Sequence, residues 1–175
     1  VRAFFRYLDR QLDAPNARLK LVRAPRRPQR LPRPLAEAAA QSLLDETATQ
    51  DTAPWIAARD TALLSLLYGA GLRISEALSL TDAAIPAPEV LRIQGKGGKI
   101  RLVPLIPAVR DAMQAYWNKR PFAPDAEGPL FRGVKGKQLS PRMVQRQIEK
   151  LRAVLDLPDT ATPHALRHSF ATHLL

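Results

Sequence analysis

The side chains best suited to chemistry in this sequence are those that hold a phosphate and move protons. Thr162-Pro163-His164-Ala165-Leu166-Arg167-His168 sets an imidazole and a guanidinium three residues apart, on one face of a helix. Their place beside the positive end of that helix, where unpaired backbone N–H groups also point, suits an anion. Arg73 follows the glycine turn Gly69-Ala70-Gly71, with Glu76 three residues on, and Lys96 sits in Gly95-Lys96-Gly97-Gly98. Each has a plainer local reading: Arg167 as a solvated helix charge with His164 capping or packing, Arg73 and Glu76 as a capping-box-like pair, Lys96 as ordinary turn surface. The glycines around Lys96 do not make a P-loop, because the G-x-x-x-x-G-K-[ST] spacing is absent. His164 and His168, four apart, also suit a metal. The glutamate of H-E-x-x-H and a third ligand are missing, so no metal is expected.

These residues need elements to position them. Thr162 as N-cap and Pro163 at the first position predict a helix from Pro163 to Leu175, with Leu166, Phe170 and Leu174 on its apolar face. Leu35–Leu44 is rich in helix formers, Asp45–Pro54 reads as a polar loop, and Trp55–Tyr68 as a buried central helix. A short helix from Arg73 to Leu80 turns Ile74, Ala77, Leu78 and Leu80 inward. Glu89–Gln94 and Lys99–Val103 alternate as strands and form a hairpin across the Lys96 turn. Pro107–Trp117 is a further helix, Leu130-Phe131-Arg132 a short extended piece, and Val134–Gln138 a basic loop. Ser140 caps a helix from Pro141 to Leu155 that turns Met143, Val144, Ile148, Leu151 and Leu155 to the core. Its Arg142, Arg146, Lys150 and Arg152, led in by Lys135 and Lys137, fit a DNA-contacting surface or a solvated face. The sum is a mainly α fold with a small antiparallel β-sheet.

The chain opens differently. Val1–Leu12 has helical apolar spacing with Arg2, Arg6 and Arg10 on another face, and Ala24–Pro34 holds four prolines and four arginines, an extended connector. Over 175 residues, 27 Lys+Arg against 16 Asp+Glu give a net charge of +11, which points to a polyanionic partner, nucleic acid before acidic membrane. Residues 1–34 carry ten basic and two acidic side chains, and residues 35–175 seventeen and fourteen. The chain has no cysteine, so disulfides and Cys-based zinc sites are excluded. No apolar run is long enough to cross a bilayer, and no signal peptide opens the chain. Val1 in place of methionine, and a close in mid-helix at Leu174-Leu175, lead us to expect that both ends are cut.

GAGLRISEALSL around Arg73, IQGKGGKIRLVPL around Lys96 and TPHALRHSFATHLL around His164 and Arg167 resemble the first arginine box, the lysine hairpin and the H-x-x-R box of tyrosine recombinases. The resemblance is closest to the bacterial Xer-type resolvases, with phage integrases more distant. It implies a catalytic domain over residues 35–175, the C-terminal end of a helical core-binding domain at 1–23 and an interdomain linker at 24–34. It also implies metal-free cutting of double-stranded DNA: a tyrosine attacks a backbone phosphate, a 3′-phosphotyrosine forms and a 5′-hydroxyl leaves. Arg73 and Arg167 then clamp the phosphate, Lys96 protonates the departing oxygen, His164 assists proton transfer or holds a phosphate oxygen, and Glu76 orients its neighbours. The implied setting is the bacterial cytoplasm, at the nucleoid. Identical or paralogous subunits form a tetrameric synapse there, with a septal DNA translocase as a further partner, for chromosome or plasmid dimer resolution. All of this requires Arg73, Lys96, His164 and Arg167 to converge on one oxyanion pocket.

One departure matters. In the family a further His or Trp and then the tyrosine nucleophile follow the H-x-x-R box by roughly twenty to thirty-five residues, whereas this sequence carries eight residues after Arg167. Tyr7, Tyr68 and Tyr116 are poor substitutes, so the chain alone is expected to position a phosphate without cleaving it. Alternatives from other classes are a non-catalytic DNA-binding or architectural protein and, within recombination, a mobile-element integrase.

Overall fold

The computed structural model describes residues 4, 7, 8, 10, 11, 34–95 and 98–173. The chain divides into two compact units, Val1–Leu31 and Pro32–Leu175. In the first, the described residues are all helical, as the spacing of Val1–Leu12 predicts. Nearly all of the expected 24–34 connector lies outside the described residues, and so does Lys96.

The second unit is built around its most apolar helix. In chain order it contains α1 (Glu37–Thr49), α2 (Pro54–Gly69), α3 (Ile74–Leu78), a 3-10 turn (Asp82–Ala84), β1 (Val90–Gln94), β2 (Ile100–Pro104), α4 (Pro107–Lys119), α5 (Pro141–Val154) and α6 (Pro163–His173). Helix α2 is apolar on most sides, so it is the element that neighbours can cover all round. It packs against α1, α4 and α6. Leu63, Leu64, Leu66 and Leu67 are each at most 1% exposed, which stabilises the fold by on the order of 1.5–3 kcal/mol apiece. β1 and β2 form a two-stranded antiparallel ribbon in the register Val90↔Pro104 to Gln94↔Ile100. Leu91, Ile93 and Val103 face inward, while Val90, Ile100 and Leu102 are exposed. The expected mainly α fold with a small antiparallel sheet is the one observed.

Two expectations need correction. The first helix does not stop at Leu44, because Asp45–Thr49 continues it. Polar residues there satisfy themselves within the helix: the Gln41 amide donates to Asp45, and the buried Thr47 hydroxyl donates back to the Leu43 carbonyl. Met143 does not face the core, being 47% exposed, although Val144, Ile148 and Leu151 do. Met143 lies in the first turn of α5, where its N–H meets the Ser140 cap, and the core-facing stripe begins one residue later.

A buried charge cluster fixes the long connection between α4 and α5. Asp82 accepts from both terminal nitrogens of Arg120, from Arg132 Nη2 at 3.1 Å and from the Asp125 N–H at 3.0 Å. Burial alone would raise the Asp82 carboxyl, but these donors outweigh it and hold the group below the usual carboxylate range. Beside it Arg59 Nε donates to Asp60 at 2.7 Å and Arg59 Nη1 to the Arg132 carbonyl at 3.2 Å. The loop reaches back to the segment between α3 and the 3-10 turn through the bridge Thr81↔Pro129.

Candidate functional site

The Arg73 side of the site depends on a turn that needs glycine. Gly71 has φ +60°, a left-handed conformation that costs L residues strain, and Leu72 N–H closes the turn on the Leu66 carbonyl at 3.2 Å. A Cβ on Gly71 would stand 2.5 Å from Cδ1 of Phe170. Its absence lets the apolar face of α6 settle directly on the turn that launches Arg73. Arg73 is the N-cap residue of α3, and the Glu76 carboxylate accepts its N–H at 2.7 Å and its Nη1 at 2.8 Å. The capping arrangement and the orientation of the guanidinium are thus one structure, and its side chain remains 55% exposed.

The other side is α6. Its start is capped as expected, with Ala165 N–H donating to Thr162 Oγ1 at 3.2 Å and Pro163 opening the helix. Three further ties hold it. Leu166 is fully buried, the buried Ser169 hydroxyl accepts the Leu35 N–H at 2.8 Å, and the Tyr68 hydroxyl meets His173 Nδ1 at 3.3 Å. The opposite face presents His164 and Arg167.

These surfaces meet. A cleft of about 330 Å³ is lined by Leu72, Arg73, Ile74, Ser75, Gln145, Thr162, Pro163, His164 and Arg167. Residues more than ninety positions apart in the chain thus share one concavity, with Arg73 at one helix start and His164 at another. Burial first, and then the nearby charge of Arg73, draw the Arg167 guanidinium down from its ordinary value. Burial, the His168 ring and the charges of Arg167 and Arg73 together lower His164, favouring the neutral imidazole near neutral pH. The cleft therefore combines crowded positive charge with a neutral proton carrier, and an anion would relieve the crowding. His164 Nε2 stands 3.0 Å from His168 Nε2, so its proton is shared or contested within the helix. Among the described residues there is no group of three or more His, Cys, Asp or Glu side chains able to hold a metal ion.

Sequence reasoning missed one participant. Arg101 of β2 donates from Nη2 to Glu76 Oε2 at 2.8 Å, so Glu76 holds two arginines. Burial would raise this carboxyl, but the Arg73 N–H and guanidinium and the Arg101 charge hold it below its usual range. The signal was present in strand alternation, which puts Arg101 on the inward face with Val103. The remaining tyrosines of the second unit are occupied elsewhere. Tyr68 is bound to His173, and Tyr116 is fully buried, stacked on Phe131 and donating to the Leu130 carbonyl at 3.0 Å; neither lines the cleft. On α5, Arg142, Arg146 and Lys150 are exposed, and so are Lys135 and Lys137 before it. Arg152 turns away to Asp159.

Comparison with known proteins gives a consistent answer. The profile of the phage integrase family matches residues 33–175. The tyrosine recombinase XerC of Rhodospirillum centenum (strain ATCC 51521 / SW) is 53% identical over 176 residues, covering 100% of this chain and 52% of that protein. The tyrosine recombinase XerC of Rhizobium meliloti (strain 1021) is 50% identical over 176 residues, covering 100% of this chain and 55% of that protein. The chain thus spans about half the length of the curated relatives it matches. Among solved structures, the XerH site-specific recombinase bound to palindromic difH substrate, a post-cleavage complex, superposes with a TM-score of 0.69 at 26% identity, over 82% of this chain and 42% of that one. The XerA recombinase gives 0.68 at 25% identity, over 95% of this chain and 56% of that one. With its arginine turn and H-x-x-R helix meeting at one cleft, the chain belongs to the phage integrase family of tyrosine recombinases.

Proposed function

We propose that this chain is the phosphate-binding part of a site-specific DNA recombinase that breaks and rejoins strands without metal. The observation that carries the reading is the convergence of Arg73, His164 and Arg167 on one cleft. In the reaction, a tyrosine oxygen attacks the scissile phosphorus, a new P–O bond forms to the enzyme and the bond to the 5′-oxygen breaks. Charge gathers on the non-bridging oxygens, where Arg73 and Arg167 meet it with permanently charged, planar, multi-donor groups. Neutral His164 takes the tyrosine proton or donates to a phosphate oxygen. Lys96 is assigned protonation of the departing 5′-oxygen on the family resemblance. The phosphoester energy is conserved in the phosphotyrosine, so the partner strand's 5′-hydroxyl reverses the step without an added cofactor. Neither Tyr68 nor Tyr116 lines the cleft, so neither is assigned the attack.

The substrate is double-stranded DNA, gripped mainly through its phosphates by the exposed basic residues of α5 and the loop before it, and by the basic first 34 residues. The solved relative XerH is bound to palindromic difH substrate, which supports this assignment. We assign residues 1–23 to the end of a core-binding domain, 24–34 to a linker and 35–175 to the catalytic domain. The biological role is chromosome or plasmid dimer resolution in the bacterial cytoplasm. A tetrameric synapse of identical or paralogous subunits carries it out at the nucleoid, with a septal DNA translocase as regulator. The complete gene product incubated with a nicked duplex in EDTA should form an SDS-stable protein–DNA adduct. Complete dependence of that adduct on a divalent metal would reject the mechanism.

A further inference from the structure

Arg101 ties the ribbon to the carboxylate that holds Arg73. Its neighbours in β2, Ile100 and Leu102, point outward and are exposed, while Arg101 turns inward and places Nη2 2.8 Å from Glu76 Oε2. Glu76 is 5% exposed and has its other bonds to the N–H and guanidinium of Arg73. Arg101 itself does not line the cleft. A buried carboxylate with one guanidinium is electrically neutral, and Arg73 bound to Glu76 alone would bring no net charge to an anion. Two guanidiniums on one carboxylate leave one positive charge on that cluster, and Arg167 across the cleft adds another.

We propose that Arg101 is a positioning residue for the phosphate cleft: it neutralises Glu76, so that the carboxylate can orient Arg73 without cancelling its charge. The resulting two positive charges match a phosphodiester that starts with one negative charge and gathers more on its non-bridging oxygens during attack. The charge of Arg101 also reaches Arg167, contributing to the crowding there. The assignment rests on reading the cleft as a phosphate site.

The test is charge compensation. Inorganic phosphate is titrated into the chain while the His164 ring resonances are followed by NMR. Arg101→Met should weaken phosphate about tenfold, the change expected when one unit charge several ångströms away is lost in a medium of intermediate dielectric. Arg101→Gln serves as a second variant if methionine disturbs folding. Glu76→Gln with Arg101→Met removes one charge of each sign and keeps an amide oxygen to accept from Arg73, so phosphate affinity should recover above that of Arg101→Met alone. Adduct formation by the complete gene product should follow the same order. A double variant as weak as Arg101→Met, or no loss in the single variant, overturns the proposal. An unchanged pattern with phosphate, alongside no adduct from the unsubstituted gene product, would refute the recombinase mechanism and leave the Arg101 assignment standing.

Discussion

Glu76 and Asp82 lie six residues apart, and each accepts from two arginines and a backbone N–H. The side chains on Asp82, Arg120 and Arg132, are 2% and 12% exposed; those on Glu76, Arg73 and Arg101, are 55% and 36% exposed. At Asp82 the remaining guanidinium surface is used up by the protein, with Arg120 lying 3.6 Å over the Trp117 ring and Arg132 Nε donating to the Pro129 carbonyl. At Glu76 it is left open beside a cleft. The same ionic chemistry makes a structural clasp when its donors are enclosed and, on the proposed reading of the cleft, a binding device when they are not. Exposure of the arginines, more than burial of the carboxylate, separates the two.

The comparison can be broken in several ways, beginning with the reaction. Arg167→Ala in the complete gene product should lower adduct formation by on the order of 10³-fold or more, the loss typical of removing a donor to a developing oxyanion. Its duplex affinity should stay within about threefold, because binding is spread over many phosphates. Gel-based adduct and retardation assays read both, and equal losses would make Arg167 a binding residue only. The second break is in stability. Asp82→Ala leaves two enclosed arginines without their counter-ion and should cost about 3–5 kcal/mol in urea unfolding. Glu76→Gln, whose arginines can turn to water, should cost about 1–2 kcal/mol. Reversal of that order would remove the distinction between clasp and binding device.

A smaller effect tests how the two sides of the cleft are held together. Gly71→Ala adds a left-handed strain and a Cβ against the Phe170 ring, and should lower stability by about 1–3 kcal/mol. Thermal unfolding measures it, and no change would mean that α6 does not depend on this close approach. The smallest effect is in acid. Asp82 and Glu76 are both held below the ordinary carboxylate range by their donors, against burial. Their contribution is therefore whole above the unfolded range of about pH 4 and is lost as pH falls through their depressed folded values. Asp82→Asn should flatten the acid side of the stability–pH curve, and an unchanged curve would count against the shift.

Much of this was legible in the sequence where local rules act alone. Thr162-Pro163 and Ser140-Pro141 announced two helix starts, and both caps are formed. Glycines marked the turn before Arg73 and the ribbon connection. The strongly apolar stretch after Trp55 declared the central helix. What failed depended on tertiary contacts. Asp45–Thr49 is polar, yet stays helical because Thr47 is buried against the rest of the fold and bonded to Leu43. Met143 looks like a core residue by spacing, but α5 begins its burial one position later. Arg101 was overlooked because a basic residue in a short ribbon reads as surface until the carboxylate it meets, 25 residues earlier, is known. The placement of Lys96 lies outside the described residues, and its role rests on the resemblance.

The central claim is that Arg73 and Arg167 meet the same phosphate. It is tested most directly by measuring the affinity of the unsubstituted protein and of Arg73→Ala and Arg167→Ala for two duplexes of captured target sequence. One duplex is native, and the other carries an uncharged methylphosphonate at the scissile position. The account predicts that the methylphosphonate weakens binding by the unsubstituted protein and costs little further in either variant, a coupling shared by both arginines. Purely additive losses, with each arginine indifferent to the charge of that phosphate, would contradict it.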